Sequence, residues 1–277
     1  MTPNAVRLRP RSTVALAAVF CVGLLAFTWP LLSPRLAEHY AASSQGQLGH
    51  STDAPWLFVL LLPLLLAVVL AELSEGGLDA KAVAMLGVLS AVGAALRPLG
   101  GGATGFTLTL VLLIPAGRVL GRGFGFVLGA TTLLASALLT GGVGPWLPFQ
   151  MTAAAWVGFF AGCLPQLRGR AEVVMLALYG AVAAVAYGFL MNLWFWPFAE
   201  GFPRALSYIP GADLGTNLTH WLRFSVSTSL GFDLPRAMTH FVVLLVVGRP
   251  LLLALRRAAR RAAFDVPVVF EPLEQAA

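Results

Sequence analysis

The sequence predicts an all-α fold, a polytopic membrane helical bundle, and three observations carry that expectation. Of 277 residues 58% are hydrophobic and only 11% are charged, against about 25% charged in soluble domains. Nearly charge-free apolar runs recur along the whole length, each close to what a helix needs to cross a hydrocarbon layer of about 30 Å. The strict polar–apolar alternation of a membrane β-barrel is absent, so helices, which satisfy their own backbone groups, are the remaining solution in lipid.

Reading the apolar runs against charges and Pro/Gly breaks gives eight spans in order: Val14 to Leu32, Trp56 to Ala71, Lys81 to Leu96, Gly105 to Leu120, Phe124 to Leu139, Phe149 to Leu164, Glu172 to Trp196 and Pro235 to Leu255. The first follows basic residues, as a signal peptide does, but its far end, AFTWPLLSPR, lacks a small-x-small cleavage pattern and reads as a retained helix. Both cysteines, Cys21 and Cys163, lie in or at the end of apolar runs without CxxC spacing and read as small hydrophobes.

An even number of spans puts both termini on one side, and the basic residues decide which. With the termini cytoplasmic, Arg7, Arg9, Arg11, Lys81, Arg118, Arg122, Arg168, Arg170, Arg249, Arg256, Arg257, Arg260 and Arg261 face inward, and Arg35, Arg97, Arg204, Arg223 and Arg236 face outward. That is thirteen of the 18 Lys and Arg residues inside, as the positive-inside rule requires. The same placement explains the net charge of +6 by topology rather than by nucleic-acid binding. The cell membrane is the expected location.

Three unusual segments then share the external face. Arg97 to Thr104 is glycine-rich, Thr140 to Met151 (TGGVGPWLPFQM) carries no charge, and Pro197 to Gly231 is long and aromatic. In the last, Leu214, Leu218, Trp221, Leu222 and Leu230 recur at near-helical spacing, as in an amphipathic helix at the interface. The tail after Arg261 reads as a short cytoplasmic extension.

Several chemistries are missing. The only lysine, Lys81, sits between alanines, so there is no Walker A loop. Glu72, Glu75, Asp79, Glu172, Glu200, Asp213 and Asp233 fall at span ends or in loops, which argues against an ion-coupled carrier. His240 alone enters a span and reads as a structural residue. No GxSxG, HExxH or paired mid-span aspartates mark a hydrolase, so no catalytic residue and no metal or other cofactor is expected. Gly121, Gly123 and Gly125 do not fit a dinucleotide loop and suit close helix approach.

Two features remain that suit a task. Gly87, Ala91 and Ala95 recur at spacing four and form a flat helix face, with Ser90 and Ala94 in a second row beside it; the face serves either this bundle or a separate subunit. On the outer side Trp146, Phe149, Gln150, Asn192, Trp194, Trp196, Trp221 and Arg223 suit an aromatic-walled site for a partly apolar small molecule, with Arg97 and Thr104 on the neighbouring loop. An interfacial aromatic belt accounts for the tryptophans equally well, and snorkelling for Arg97, but amides such as Gln150 and Asn192 gain nothing from lipid. In the 140–151 loop Gly141, Gly142 and Gly144 give freedom, Pro145 and Pro148 limit it, and Trp146 is placed to close as a lid above Gln150.

The stretches ALRPLGGGATGFTLTLVLLIPAGRVLG, LLTGGVGPWLPFQM and TSLGFDLPRAMTHFVVLLVVGRPLLLALRRAARR resemble the substrate-binding (S) component of energy-coupling-factor transporters, particularly the actinobacterial branch. The resemblance runs from about Lys81 to Arg261. It implies a six-helix core over 81–261 that binds a vitamin or related micronutrient from outside and works with a scaffold membrane subunit and two cytoplasmic ATPases. Cobalamin is the favoured cargo. Gly87, Ala91 and Ala95 would contact the scaffold, and the three external segments would cover the ligand. The core is preceded by residues 1–80, a basic segment and two additional transmembrane helices that the family pattern does not include, and followed by a tail over 262–277. The rival expectations are a self-sufficient ion-coupled carrier and a membrane enzyme acting on a lipid or isoprenoid.

Overall fold

The computed structural model describes residues 10–33, 80–99 and 106–262, together with positions 56, 59, 60, 63, 64, 67 and 68, which are helical. Thr104, most of the second span and the C-terminal tail lie outside the described residues. The described chain is all-helical, with no strand among the described residues. Among the described residues, five helices are long and apolar enough to cross a bilayer, as in a multi-pass membrane protein.

The helices are α1 (Pro10–Leu32), α2 (Ala80–Leu99), α3 (Thr109–Leu120), α4 (Arg122–Thr140), α5 (Leu147–Cys163), α6 (Gly169–Phe195), α7 (Leu214–Phe224) and α8 (Leu230–Ala262). Helix α4 packs most extensively on α5, and α8 on α6; α2 lies on α4, and α3 fills the space between α4, α5 and α8. Contact without bulky side chains makes the first of these pairings close. A Cβ on Gly125 would strike the Gly158 carbonyl, and one on Gly129 would strike the Ala154 backbone. Gly125 is thus a packing glycine, as the sequence suggests, whereas Gly121, at φ 100°, makes the turn between α3 and α4. In lipid, such backbone approach is a principal source of helix association.

Two elements differ from the sequence expectation. The fourth span was expected from Gly105, but α3 starts at Thr109 and has 12 residues, about 18 Å of helix. Its first turn consequently lies among other helices, where an orphan N–H finds no water. His240, fully buried on α8, supplies the acceptor: Leu110 N donates to His240 Nε2 at 3.3 Å. His240 Nδ1 lies 2.7 Å from the Arg236 carbonyl, so one ring nitrogen donates and the other accepts, as a neutral imidazole can. The structural role expected for His240 is what it has here.

The eighth span was expected from Pro235, but α7 and α8 run on through a π-turn at Ser225–Ser229, so helix extends from Leu214 to Ala262. The π-turn is held from α6: Asn192 Nδ2 donates to Ser225 Oγ at 3.0 Å and to Ser229 Oγ at 2.8 Å, and Ser229 Oγ donates back to Asn192 Oδ1 at 3.1 Å. Helix α7 is amphipathic, as expected. It exposes Leu214, Leu218 and Leu222 at spacing four, and buries Asn217, whose amide clasps both backbone groups of Ile209.

Helix α1 packs through aromatics. Phe20 stacks on Trp156 and Phe126, and Phe27 meets Phe149 edge-on at 5.1 Å. Its last turn is tied to the segment before α7 by Tyr208, whose hydroxyl donates to the Pro30 carbonyl at 2.6 Å. Burial raises the Tyr208 pKa, so the phenol stays a donor.

Glu172 stands at a span end, as expected, in the first turn of α6, and is buried there with 1% of its side chain exposed. Arg118 from α3 reaches it at 3.0 Å and Arg256 from α8 at 2.7 Å, while Arg118 also donates to the Leu164 carbonyl. One carboxylate therefore gathers α3, α6 and α8 at one end of the bundle.

Candidate functional site

Two polar pairs lie toward the opposite end of the bundle. Arg97, in the last turn of α2, donates through Nη2 to Gln150 Oε1 at 3.0 Å. These residues are 53 apart in sequence, and both were expected in the site. Gln150 occupies the first turn of α5, entered through Pro148, which suits a helix start because proline has no N–H to lose there.

The loop before α5 is folded on itself. Gly141 ends α4 at φ 66°, a left-handed cap, and Trp146 Nε1 donates to the Gly142 carbonyl at 3.2 Å. Gly144 lies against the indole, where a Cβ would come within 2.5 Å of ring carbons. Trp146 meets Trp194 edge-on at 6.3 Å, and Trp194 lies 6.3 Å from Phe149. The Nε1 atom of Trp194 is buried and has no acceptor among the described residues.

A second charged group sits deeper. Asp233 in the first turn of α8 is buried, and its Oδ1 accepts from Arg236 Nη1 at 3.0 Å. Its Oδ2 is buried without a partner among the described residues. The pair packs on α6, where a Cβ on Gly188 would fall on the Asp233 carboxylate. Gly188 is about 24 Å along α6 from Glu172, so the two buried carboxylates stand near opposite ends of the bundle. Arg236, expected on the external side at the start of the eighth span, has 19% of its side chain exposed, and its guanidinium lies 5.7 Å from the Tyr187 ring centroid.

The remaining expected site residues are engaged elsewhere. Phe149 and Trp196 are each 1% exposed and belong to the aromatic cluster beneath the segment before α7. Trp196 Nε1 donates to the Leu206 carbonyl at 2.6 Å, and Asn192 is occupied by the two serines of the π-turn. Arg223 is exposed on α7. The sequence reading passed over Tyr187, Asp233 and Arg236. The signal for the last two was present in GFDLPRAMTH, where an acid and an arginine three apart share one face of an apolar helix.

The two rows on α2 have separate fates. Ser90, Gly93 and Ala94 face α4: Thr131 Oγ1 donates to the Val127 carbonyl, so Ser90 Oγ must donate to Thr131 Oγ1 across 2.7 Å, and Gly93 lies on Thr132. Gly87, Ala91 and Ala95 point away from the bundle and are exposed, with no heavy atom within 4 Å of a Cβ built on Gly87. Comparison with family models, curated proteins and solved structures finds no match.

Proposed function

We propose that this chain is the substrate-binding membrane subunit of an energy-coupling-factor importer, capturing a vitamin or related micronutrient from outside the cell. The observation that carries the reading is the small-residue face of α2, which has no partner among the described residues. Its sister row is packed on α4, so the outward row is free to meet another membrane chain, and Gly87, Ala91 and Ala95 would let that backbone approach closely. Helices α2 to α6 and α8 supply the six of the resemblance, with α1 and the span around residues 56–68 as the additional pair. Both termini are then cytoplasmic, the Trp146 end faces outward, and the Arg97–Gln150 pair lies beneath the Trp146 loop, where a lid would operate. A scaffold subunit and two ATPases would supply the energy. No residue of the site selects cobalamin over another cargo.

The test is co-purification of the tagged chain with a scaffold subunit and ATPases encoded in the same genome. Wild type should retain them, whereas Gly87→Leu with Ala91→Leu should lose them without loss of folded yield. Equal retention removes this face from the interface. A self-sufficient carrier is the second reading, because Asp233 is a buried carboxylate with an unpartnered oxygen, a feature of ion-coupled transport. Solute accumulation in vesicles by this chain alone, under a proton or sodium gradient, would favour that reading over the importer.

A further inference from the structure

We propose that the arginines gathered around Glu172, namely Arg168, Arg170, Arg256, Arg257 and Arg260, hold the phosphate of an anionic phospholipid in the leaflet on that side of the membrane. This end lies away from the Trp146 loop, so the site stands whether the chain is an importer subunit or a carrier.

Arg118 and Arg256 meet on one atom. Both reach Glu172 Oε1, at 3.0 and 2.7 Å, so two guanidinium groups from separate helices are held side by side and share a single carboxylate. Arg118 is sealed in and donates to Glu172 and the Leu164 carbonyl, whereas 42% of the Arg256 side chain is exposed. The excess positive charge therefore surfaces at Arg256. Further cations lie on the same surface: Arg168 and Arg170 flank the start of α6 and are exposed, as are Arg257 and Arg260 on the turn of α8 that follows Arg256. Gly248 packs α8 against the start of α6, where a Cβ would lie 3.4 Å from Val173 Cγ1. Among the described residues the acids are Glu172, Glu200, Asp213 and Asp233, and the last three stand toward the Trp146 end. Glu172 is already shared by two arginines, so the four exposed ones have no carboxylate of their own among the described residues. Basic sites between helices on the cytoplasmic side hold anionic lipid headgroups, and an arginine fork matches two phosphate oxygens at once. The acyl chains have a place as well. Val246 and Leu253 are exposed on α8 and precede Arg257 by eleven and four residues, so they share its face on the membrane side. That continuity favours a lipid over a soluble phosphate.

The full chain, delipidated in a neutral detergent, is given equal amounts of phosphatidylglycerol and phosphatidylcholine with identical acyl chains, and bound lipid is counted by native mass spectrometry. Phosphatidylglycerol should be held about tenfold or more over phosphatidylcholine, since each arginine near an anionic surface contributes about fivefold. Arg168→Gln with Arg257→Gln and Arg260→Gln removes three exposed cations and should abolish the preference. Arg256 stays in place because it neutralises the buried Glu172. Lysine at the same three positions should keep part of the preference, and Arg204→Gln, exposed toward the other end, should change nothing. Equal retention of the two lipids, a preference that survives the triple glutamine variant, or one that Arg204→Gln also removes overturns the proposal. So does displacement of phosphatidylglycerol by soluble glycerol phosphate at equal concentration, which would make the occupant a free anion. The tail beyond residue 262 carries Asp265, Glu271 and Glu274. A preference that appears only after Asp265→Asn, Glu271→Gln and Glu274→Gln would assign the arginines to the chain's own tail and overturn the lipid site.

Discussion

Glu172 illustrates how one residue can organise a membrane bundle. Its carboxylate takes two arginines, and Arg118, with 3% of its side chain exposed, has little access to water as an alternative. A buried pair of this kind contributes little net stability compared with apolar packing, but breaking it leaves an uncompensated charge at a cost of about 3–5 kcal/mol. Glu172→Ala should therefore lower the thermal unfolding temperature in detergent strongly, and Glu172→Leu should not rescue it while Arg118 remains. A Glu172→Ala protein as stable as wild type would mean that water reaches Arg118. The sequence showed Glu172 beginning an apolar run but not its burial, because Arg118 and Arg256 reach it from positions 54 and 84 residues away. The Arg97–Gln150 bond is a similar case. Each residue stands out alone as polar beside apolar sequence, and only the packing of α2 near α5 makes them partners. Asp233 stands in the first turn of α8, at a span end as expected, but its burial comes from Gly188 on α6 and is not visible in its own segment.

Among the elements, those with strong apolar periodicity were legible, and those whose limits depend on a neighbour were not. Helix α3 stops short because His240 provides for its buried first turn, and helix continues from α7 into α8 because Asn192 secures the π-turn. Neither reason is visible within the segment itself. Helix α7 was legible from its leucine spacing, and it starts at an equally local signal, Asp213, which accepts from the Thr216 amide and hydroxyl as an N-cap. The Thr216 side chain and amide hold the Asp213 carboxyl below its ordinary value of 3.8. Because the folded value is the lower one, the cap stabilises α7 above 3.8 and is lost as pH falls through the folded value. Amide exchange in the first turn of α7, corrected for intrinsic rates, should accelerate below about pH 4. Asp213→Asn, which caps without titrating, should be insensitive across the same range. Identical pH profiles for the two proteins would show that Asp213 does not secure this end.

For the whole molecule, the two buried charge clusters give the bundle distinguishable ends, and the distribution of arginines gives those ends a direction. The Glu172 end carries Arg118, Arg122, Arg168, Arg170 and Arg256, and the Trp146 end carries the apolar, glycine-bearing segments. Anchored by positive charge, the first of these should face the cytoplasm. The two native cysteines test the direction without mutation. Cys163 is exposed at the last residue of α5, at the Glu172 end, whereas Cys21 is exposed midway along α1, where lipid covers it. A membrane-impermeant maleimide should therefore leave intact cells unlabelled and modify Cys163 once the membrane is opened, with Cys163→Ser abolishing the signal. Labelling of Cys163 in intact cells would reverse the bundle. The Trp146 loop and the Arg97–Gln150 pair would then face the cytoplasm, and capture from outside would lose its physical basis.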